Sequence, residues 1–349
     1  MIELKSFKVC DTFFGARNSH DGFKSMFGVL FAPEKYDKLF ILKGGPGTGK
    51  STLLRGAVSF ANEMGIDASA VLCSSDVSSL DGVILSRGGK SVAIIDGTAP
   101  HTKDPVFPGA IDEIVNLGDG FDIKYLEGRK SEIVSRSRKK SAAYSSAYRT
   151  LFAAKGIFDY IWDKLLHSEF YNEAELIADE IASRLDINGN NTKTAHVLYS
   201  AFGKGGEYTL PVQAERTLVN LEGEELLCAL ILDAVKRRCD ERRIVSTRYP
   251  SALDDRLAER VVIGNTVVSY NKKRTDGVSI GEYQCEKYCP HFSLLYSHYK
   301  SMLKLAGESF SEAASEHFAL EKIYTAAVDF SSNDKIYATL CQRICDIML

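Results

Sequence analysis

The chain has 349 residues, of which 45% are hydrophobic and 26% are charged, and its formal net charge is −3. This length is sufficient for two hydrophobic cores. The charge balance gives no electrostatic reason to expect nucleic acid or an anionic membrane as a partner. The N-terminal residues lack the apolar core of a signal peptide, and no apolar run approaches the roughly 20 residues that span a bilayer, so we expect a cytoplasmic protein.

A glycine-rich turn follows the apolar stretch 39–42. The segment 44–51 matches the phosphate-binding loop pattern at every required position, and an apolar run at helical spacing follows it. Glycines in such a loop let backbone N–H groups converge on phosphate oxygens, where a Cβ atom would intrude. The residues predicted to contact a nucleoside triphosphate are Gly44, Gly45, Pro46, Gly47, Thr48, Gly49, Lys50, Ser51 and Thr52.

Three of these residues have distinct predicted roles. Lys50 is expected to reach the β- and γ-phosphates of ATP. Ser51 lies at the start of a predicted helix whose positive dipole end faces the anion, and its hydroxyl is the expected Mg²⁺ ligand. Thr52 follows in the direction of the α-phosphate.

A second apolar strand, 91–95, ends in the carboxylate of Asp96. A buried parallel strand of this kind places its C-terminal residue beside the loop, so Asp96 is predicted to hold Mg²⁺ through a water and Ser51. The alternative is that Asp96 only caps a turn with Gly97. Gly97 and Thr98 follow Asp96, where many motor-type ATPases place a glutamate that polarises water, so the local sequence does not specify fast hydrolysis.

Ligands of open α/β sheets gather at the carboxyl ends of the strands, so residues that follow predicted strands are candidates for the chemistry. Asp76 is predicted to orient a water or hydroxyl, and His101 to sense the γ-phosphate. A turn-capping aspartate and a surface histidine are the alternatives. A third candidate pair, Arg17 and His20, precedes the first predicted strand, and the helix after the loop near residue 107 is predicted to start at Asp112.

The later half of the chain repeats the apolar pattern of the earlier half. One register places 53–58 on 226–231 and 80–81 on 253–254, which indicates a domain duplication. Chance similarity between two α/β segments is the alternative. In this register Lys50 aligns with Gly223, Ser51 with Glu224 and Asp96 with Asn271, so the second copy is predicted to be degenerate and to repel a triphosphate through Glu222, Glu224 and Glu225.

Each half ends in apolar stripes at helical spacing, which predict helical hairpins that pack the halves together. We therefore divide the chain into a nucleotide-binding domain (1–122), a hairpin (123–190), a degenerate α/β domain (191–290) and a second hairpin (291–349).

Two further clusters are open to more than one interpretation. The basic run between Arg129 and Lys140 fits a solvated helix face, or a docking patch for an acidic partner or nucleic acid. Cys285, Cys289 and His291 are zinc-type ligands at a loose spacing, without a second pair nearby.

Four segments together resemble an uncharacterised bacterial family of duplicated P-loop ATPases. They are 43–52, 73–83, 92–101 and 108–118. The resemblance covers most of the chain and implies the P-loop NTPase fold with ATP as ligand. Family members often keep a phosphate loop in both halves, whereas this chain has one only in the first.

The sequence thus predicts an α/β protein with the P-loop NTPase fold, in which mostly parallel sheets are flanked by helices and the second copy is degenerate. The predicted function is a slow ATPase that uses ATP and Mg²⁺ and is coupled to a conformational change or a protein partner. The alternatives are a small-molecule kinase with its own acceptor substrate, and a nucleotide-dependent scaffold.

Overall fold

The computed structural model describes residues 11–184, 197–212, 217–270, 278–279 and 284–349. Within these ranges the chain forms two mixed sheets flanked by helices, so the predicted α/β class is confirmed. Among the described helices, none combines the length and the apolar composition that crossing a bilayer requires.

The first half contains a succession of strands and short helices, followed by a long helix. Its strands are β1 (Asp11–Phe14), β2 (Ala16–Ser19), β3 (Gly22–Ser25), β4 (Lys38–Lys43), β5 (Asp67–Leu72), β6 (Leu80–Arg87), β7 (Lys90–Asp96) and β8 (Asp112–Asn116). Its helices are α1 (Phe27–Leu30), α2 (Lys50–Glu63), α3 (Ile123–Gly128), α4 (Lys130–Leu166) and α5 (Phe170–Arg184), with a 3₁₀ turn at Pro33–Lys35.

The second half follows a similar plan. Its strands are β9 (Ser200–Gly203), β10 (Gly206–Thr209), β11 (Thr217–Glu222), β12 (Ser246–Pro250), β13 (Ala258–Ile263), β14 (Thr266–Tyr270) and β15 (Val278–Ser279). Its helices are α6 (Glu225–Glu241), α7 (Cys285–Tyr288), α8 (Phe292–Thr325) and α9 (Phe330–Met348).

The two sheets share one strand order. In the first the order is β1-β5-β6-β7-β4-β8, and in the second, over the described residues, it is β12-β13-β14-β11-β15. Strands β4, β7 and β8 are mutually parallel and β6 is antiparallel to its neighbours, just as β11, β14 and β15 are parallel and β13 is antiparallel. Helices α2 and α6 follow equivalent central strands, and each half ends in a long helix and a shorter one.

The prediction that a helix starts at Asp112 is wrong, because residues 112–116 form strand β8 at the edge of the first sheet. The Asp112 carboxylate accepts hydrogen bonds from the N–H groups of Val106 (2.7 Å) and Phe107 (2.6 Å). Asp112 would suit the first turn of a helix, but its carboxylate instead binds the backbone of the preceding loop. The strand that begins at Asp112 pairs with β4.

The terminal hairpins are exchanged between the halves. Helices α4 and α8 pack antiparallel, since Arg136 early in α4 pairs with Glu316 late in α8 at 3.2 Å. Helix α9 places Leu340, Ile344 and Met348 in the core of the first sheet. The α5 face that includes Phe170 joins the core formed by α6 and the second sheet. Each core is therefore completed by a helix from the other half.

Candidate functional site

The glycine loop (44–49) connects β4 to α2. Gly47 and Gly49 have φ angles of +72° and +86°, which a side chain would oppose. The loop therefore turns tightly and brings the N-terminus of α2, a helix of 14 residues that begins at Lys50, to the carboxyl edge of the sheet. Backbone N–H groups without helical partners and the positive end of the helix dipole face this edge.

Lys50 and Asp96 meet at this edge. Strand β7 lies parallel to β4 with Asp96 opposite Leu42, and the Lys50 ammonium lies 3.8 Å from Asp96 Oδ2. The ammonium also donates to the carbonyl oxygens of Gly44 (3.2 Å) and Gly45 (2.8 Å). In this state the cation is held by the loop, and an incoming phosphate would have to replace those carbonyls.

The second oxygen of Asp96 has a structural role. Asp96 Oδ1 accepts hydrogen bonds from the backbone N–H and the hydroxyl of Thr98, at 2.8 and 2.6 Å. The turn-capping interpretation thus holds for Oδ1, while Oδ2 faces Lys50. One carboxylate serves both the turn and the site.

The oxygens available for Mg²⁺ are the Ser51 hydroxyl and Asp96 Oδ2. Ser51 Oγ accepts a hydrogen bond from the Leu80 N–H at 3.2 Å, which leaves a second lone pair for a ligand. The described residues hold no group of three His, Cys, Asp or Glu side chains that could bind a metal. Mg²⁺ normally takes one or two protein oxygens together with phosphates and waters, so these two residues fit that ion when a polyphosphate is present.

The segment after β7 is tied to the site by Lys43. Its ammonium donates to the carbonyl oxygens of Gly97 (2.9 Å) and Lys103 (2.7 Å) and pairs with Asp104 at 3.2 Å. These contacts hold residues 97–104 against the end of β4.

His101 belongs to this segment, and its side chain is buried, with 6% of its surface exposed. Its Nε2 lies 3.1 Å from Asp81 Oδ2, its Nδ1 lies 3.3 Å from Ser25 Oγ, and the ring stacks on Phe27 at 4.1 Å. Both ring nitrogens therefore have protein partners. A role as γ-phosphate sensor stays a prediction, and it would require one of these contacts to break.

Asp76 caps its own turn and contacts the second half. Its Oδ1 accepts hydrogen bonds from the N–H (3.1 Å) and hydroxyl (2.6 Å) of Ser78, and Lys204 from the β9–β10 turn lies 3.7 Å away. Burial favours a higher pKa for Asp76, but the Ser78 hydrogen bonds and the Lys204 charge outweigh it and lower the pKa. Asp76 is thus an ionised carboxylate in a turn, and its role in orienting a water stays a prediction.

Arg17 and His20, the third predicted pair, link the two halves. Arg17 pairs with Asp255, and His20 contacts Asp254 at 3.3 Å and the Tyr299 hydroxyl at 3.2 Å. Both side chains are buried in these contacts.

Residues of the α8–α9 hairpin cover the glycine loop. Thr325 Oγ1 donates to the Gly47 carbonyl at 3.2 Å, and Asn333 Nδ2 donates to the Thr48 carbonyl at 2.8 Å. A Cβ atom at Gly47 would lie 2.5 Å from the Glu321 carbonyl oxygen. Sequence reasoning missed these residues because each lies more than 250 positions from the loop and carries no local motif.

The basic run on α4 divides into two faces. Arg138 and Lys139 are exposed, as expected for a solvated helix face, whereas Lys140 is partly buried. Burial lowers the pKa of Lys140, and the positive charge of Lys50 lowers it further. Lys140 therefore lies within the electrostatic reach of the glycine loop.

Two α8 residues complete a charged cluster, which we define as Lys50, Lys140, His317 and Glu321. His317 Nε2 lies 3.5 Å from Glu321 Oε1. Burial, followed by the charges of Lys140 and Lys50, lowers the pKa of His317 to about 4, so this ring is neutral at pH 7. Burial and the charge of Asp76 raise the pKa of Glu321. Lys140 belongs to α4, and His317 and Glu321 belong to α8, whose last residue is bonded to the glycine loop.

The second half has no equivalent loop. Strand β11 ends at Glu222 and α6 begins at Glu225, so residues 223–224 replace the longer turn 44–49. The register of β11 against β14 places Tyr270 opposite Leu221, as Asp96 lies opposite Leu42.

Glu225 thus begins α6 where Lys50 begins α2, and Tyr270 takes the position of Asp96. The sequence-based register, which paired Lys50 with Gly223, is shifted because the connecting turn is shorter. Its partner for Asp96, Asn271, lies outside the described residues.

The Glu225 carboxylate is held by groups of the second half and α8. It accepts hydrogen bonds from the hydroxyls of Tyr270 (3.2 Å) and Tyr296 (3.0 Å), and Lys300 lies 3.5 Å away. Burial and the Glu225 charge raise the pKa of both tyrosines, so their hydroxyls stay protonated and donate. A protein carboxylate therefore occupies the position that an anionic ligand would take.

The cysteine cluster does not form a metal site. Cys285 and Cys289 are buried in the core of the second half, and all cysteines of the described residues are free thiols. Cys285, Cys289 and His291 do not belong to any group of the described residues that could bind a metal.

The chain matches no model of a known protein family, and comparisons with curated proteins and with solved structures likewise give no match.

Proposed function

We propose that this protein has the P-loop NTPase fold, binds one Mg²⁺–ATP at the glycine loop and hydrolyses it slowly. The observation that carries the proposal is the meeting of Lys50 and Asp96 at 3.8 Å, where two adjacent parallel strands end beside the N-terminus of α2. A cation, a carboxylate and free backbone N–H groups at one helix N-terminus suit a metal-bound polyphosphate.

Each residue has a role that follows from its position. The N–H groups of the glycine loop and the Lys50 ammonium bind phosphate oxygens, and Thr52 lies in the first turn of the same helix. Ser51 and Asp96 would hold Mg²⁺, which neutralises phosphate charge when bound. Asp76 is the candidate for orienting water, and the absence of a glutamate after Asp96 accounts for slow turnover.

The covering hairpin supports coupling to a conformational change. Phosphate binding must draw the Lys50 ammonium away from the carbonyls of Gly44 and Gly45, and the adjacent carbonyls of Gly47 and Thr48 are bonded to Thr325 and Asn333. A change in the loop is therefore transmitted to α8 and α9. A nucleotide-dependent scaffold would use the same contacts without turnover.

A small-molecule kinase is the second candidate, because a cavity of about 600 Å³ lies beside α4. His20, Tyr144 and Tyr148 line it. Tyr148 donates to Asn18 at 2.6 Å, and the Asn18 amide lies 3.5 Å from the hydroxyl of Ser75, the residue that precedes Asp76. The cavity thus adjoins a carboxylate that could activate an acceptor hydroxyl. Phosphate release from ATP without an added acceptor separates the ATPase from the kinase.

The test is calorimetric titration with ATP, with and without Mg²⁺. Lys50→Ala should weaken binding by at least about 2–3 kcal/mol, because a charge-assisted contact to phosphate is lost. Asp96→Asn should impair Mg²⁺-dependent turnover much more than metal-free binding, because its charge acts through the ion.

The exposed Lys139→Ala variant is the control and should behave as the parent protein. Equal affinity for ATP in Lys50→Ala and the parent would refute the proposal. Equal losses in Asp96→Asn with and without Mg²⁺ would reduce Asp96 to a turn cap.

A further inference from the structure

Lys140 shares one face of α4 with residues that contact α8 and the first half. Residues 136, 140, 144 and 148 follow one another at a spacing of four and lie on that face. Arg136 is paired with Glu316 of α8 at 3.2 Å, and the Tyr148 hydroxyl donates to Asn18 at 2.6 Å. The contacts on either side of Lys140 therefore direct this face toward the first half and toward α8, whose last residue is bonded to the glycine loop.

Lys140 has no carboxylate partner of its own. It is partly buried, the charge of Lys50 acts on it, and it forms no ion pair with another described residue. Lys50 lies 3.8 Å from Asp96, and Glu321 lies 3.5 Å from His317. A partly buried ammonium without an anion of its own is unfavourable, and a ligand that supplied negative charge would relieve that cost.

The second half contains the same arrangement with its anion present. Lys300 lies near the start of α8, as Lys140 lies near the start of α4, and it pairs with Glu225 at 3.5 Å. Glu225 begins α6 where Lys50 begins α2. Where the protein supplies its own carboxylate, the lysine of the long helix contacts it. In the first half that position holds the Lys50 ammonium, so a ligand would have to supply the anion that Lys140 contacts.

We propose that Lys140 binds the terminal phosphate of the nucleoside triphosphate held by the glycine loop, so that the site distinguishes a triphosphate from a diphosphate. The inference rests on the proposed function and adds a residue from the helical hairpin to the phosphate site. Lys50 approaches the phosphates from the loop, and Lys140 approaches the last phosphate from α4.

The test compares the affinities of ATP and ADP, each with Mg²⁺, for the parent protein, Lys140→Met and the matched control Lys139→Met. Methionine is unbranched, is one atom shorter than lysine and carries no charge, and Lys139 is exposed on the same helix. Lys140→Met should weaken ATP binding by about 10- to 100-fold, the usual effect of one charge-assisted hydrogen bond, and leave ADP binding within about threefold. Lys139→Met should change neither affinity.

The outcomes separate this inference from the proposed function. If the parent binds neither nucleotide, both are overturned. If the parent binds ATP and Lys140→Met leaves the ratio of the two affinities unchanged, only the role of Lys140 is overturned. If Lys140→Met fails to fold, Lys140→Arg and Lys140→Gln answer the same question. The charged arginine variant should keep the parent ratio of ATP affinity to ADP affinity, and the neutral glutamine variant should lower it.

Discussion

The side chains of the charged cluster are coupled through their charges. Lys50 acts on Lys140, and both lysines lower the pKa of His317. A triphosphate bound among them would make the local potential more negative, because it adds several negative charges beside the two lysines. The protonation of His317 therefore reports directly on what occupies the site.

We predict that Lys140→Met raises the pKa of His317 from about 4 toward its ordinary value of 6.5. The rise should be partial, since burial is the largest cause and remains. Because the folded-state pKa is the lower one, protonation costs stability as pH falls from 6.5 toward about 4, and this loss should be smaller in the variant.

NMR titration of the His317 ring measures its pKa. Denaturation at several pH values measures the loss of stability between pH 6.5 and about 4. Addition of Mg²⁺–ATP to the parent protein should raise the same pKa. An unchanged pKa in Lys140→Met would show that the two groups lie too far apart to interact.

At the scale of elements, the glycine loop is a contact surface as well as a turn. The end of α8 packs against Gly47, and α9 is bonded to Thr48 through Asn333. The α4 helix of 37 residues extends about 55 Å, which carries α5 across to the other half. The α8 helix runs in the opposite direction and brings α9 to the first half. The last turn of α8 lies on the glycine loop.

Two glycines with similar backbone angles test this packing. Gly47 and Gly65 have φ angles of +72° and +65°, but a Cβ atom at Gly65 meets nothing within 4 Å. We expect Gly65→Ala to lower the free energy of unfolding by about 1–2 kcal/mol through backbone strain alone. Gly47→Ala should cost about 1–3 kcal/mol more, because its methyl group must displace the α8 backbone.

Urea denaturation of both variants provides the measurement. The difference between the two losses isolates the contact with α8, since the backbone strain is nearly equal. Identical losses would mean that α8 does not press on the loop in solution.

At the scale of the whole molecule, the two halves share an architecture but differ in chemistry. Helices α2 and α6 each bury apolar residues in the core of their own half. The strand-to-helix turn of the second half is too short to form a phosphate cradle, and Glu225 occupies the helix start with three bonded partners. The second half retains its core and supplies a hairpin to the first.

We therefore predict that each chain binds one triphosphate. Native mass spectrometry of the purified protein with Mg²⁺–ATP should show a single bound nucleotide, and Lys50→Ala should show none. A carboxylate at the α6 N-terminus would repel phosphate oxygens, so a second site there is not expected. Two nucleotides per chain, or one retained by Lys50→Ala, would contradict the assignment.

The features that could be predicted from the sequence alone are those that depend on short stretches of chain. The glycine loop, the helix after it and the apolar strands that end at Lys43 and Asp96 follow from residue type and spacing over a few positions. The proximity of Asp96 to the glycine loop was also predictable, because buried parallel strands gather their carboxyl ends at one edge.

The distant residues that lie near the loop could be identified only from the folded chain. The chain at 112–116 became a strand because β4 offered it an edge to pair with, although its acidic residues fit a helix start. The direction of Lys140 and the cover provided by Thr325 and Asn333 depend on the exchange of hairpins between halves. Such contacts join residues far apart in the chain, and no local pattern of residue types records them, because they are selected by the packing of the two cores.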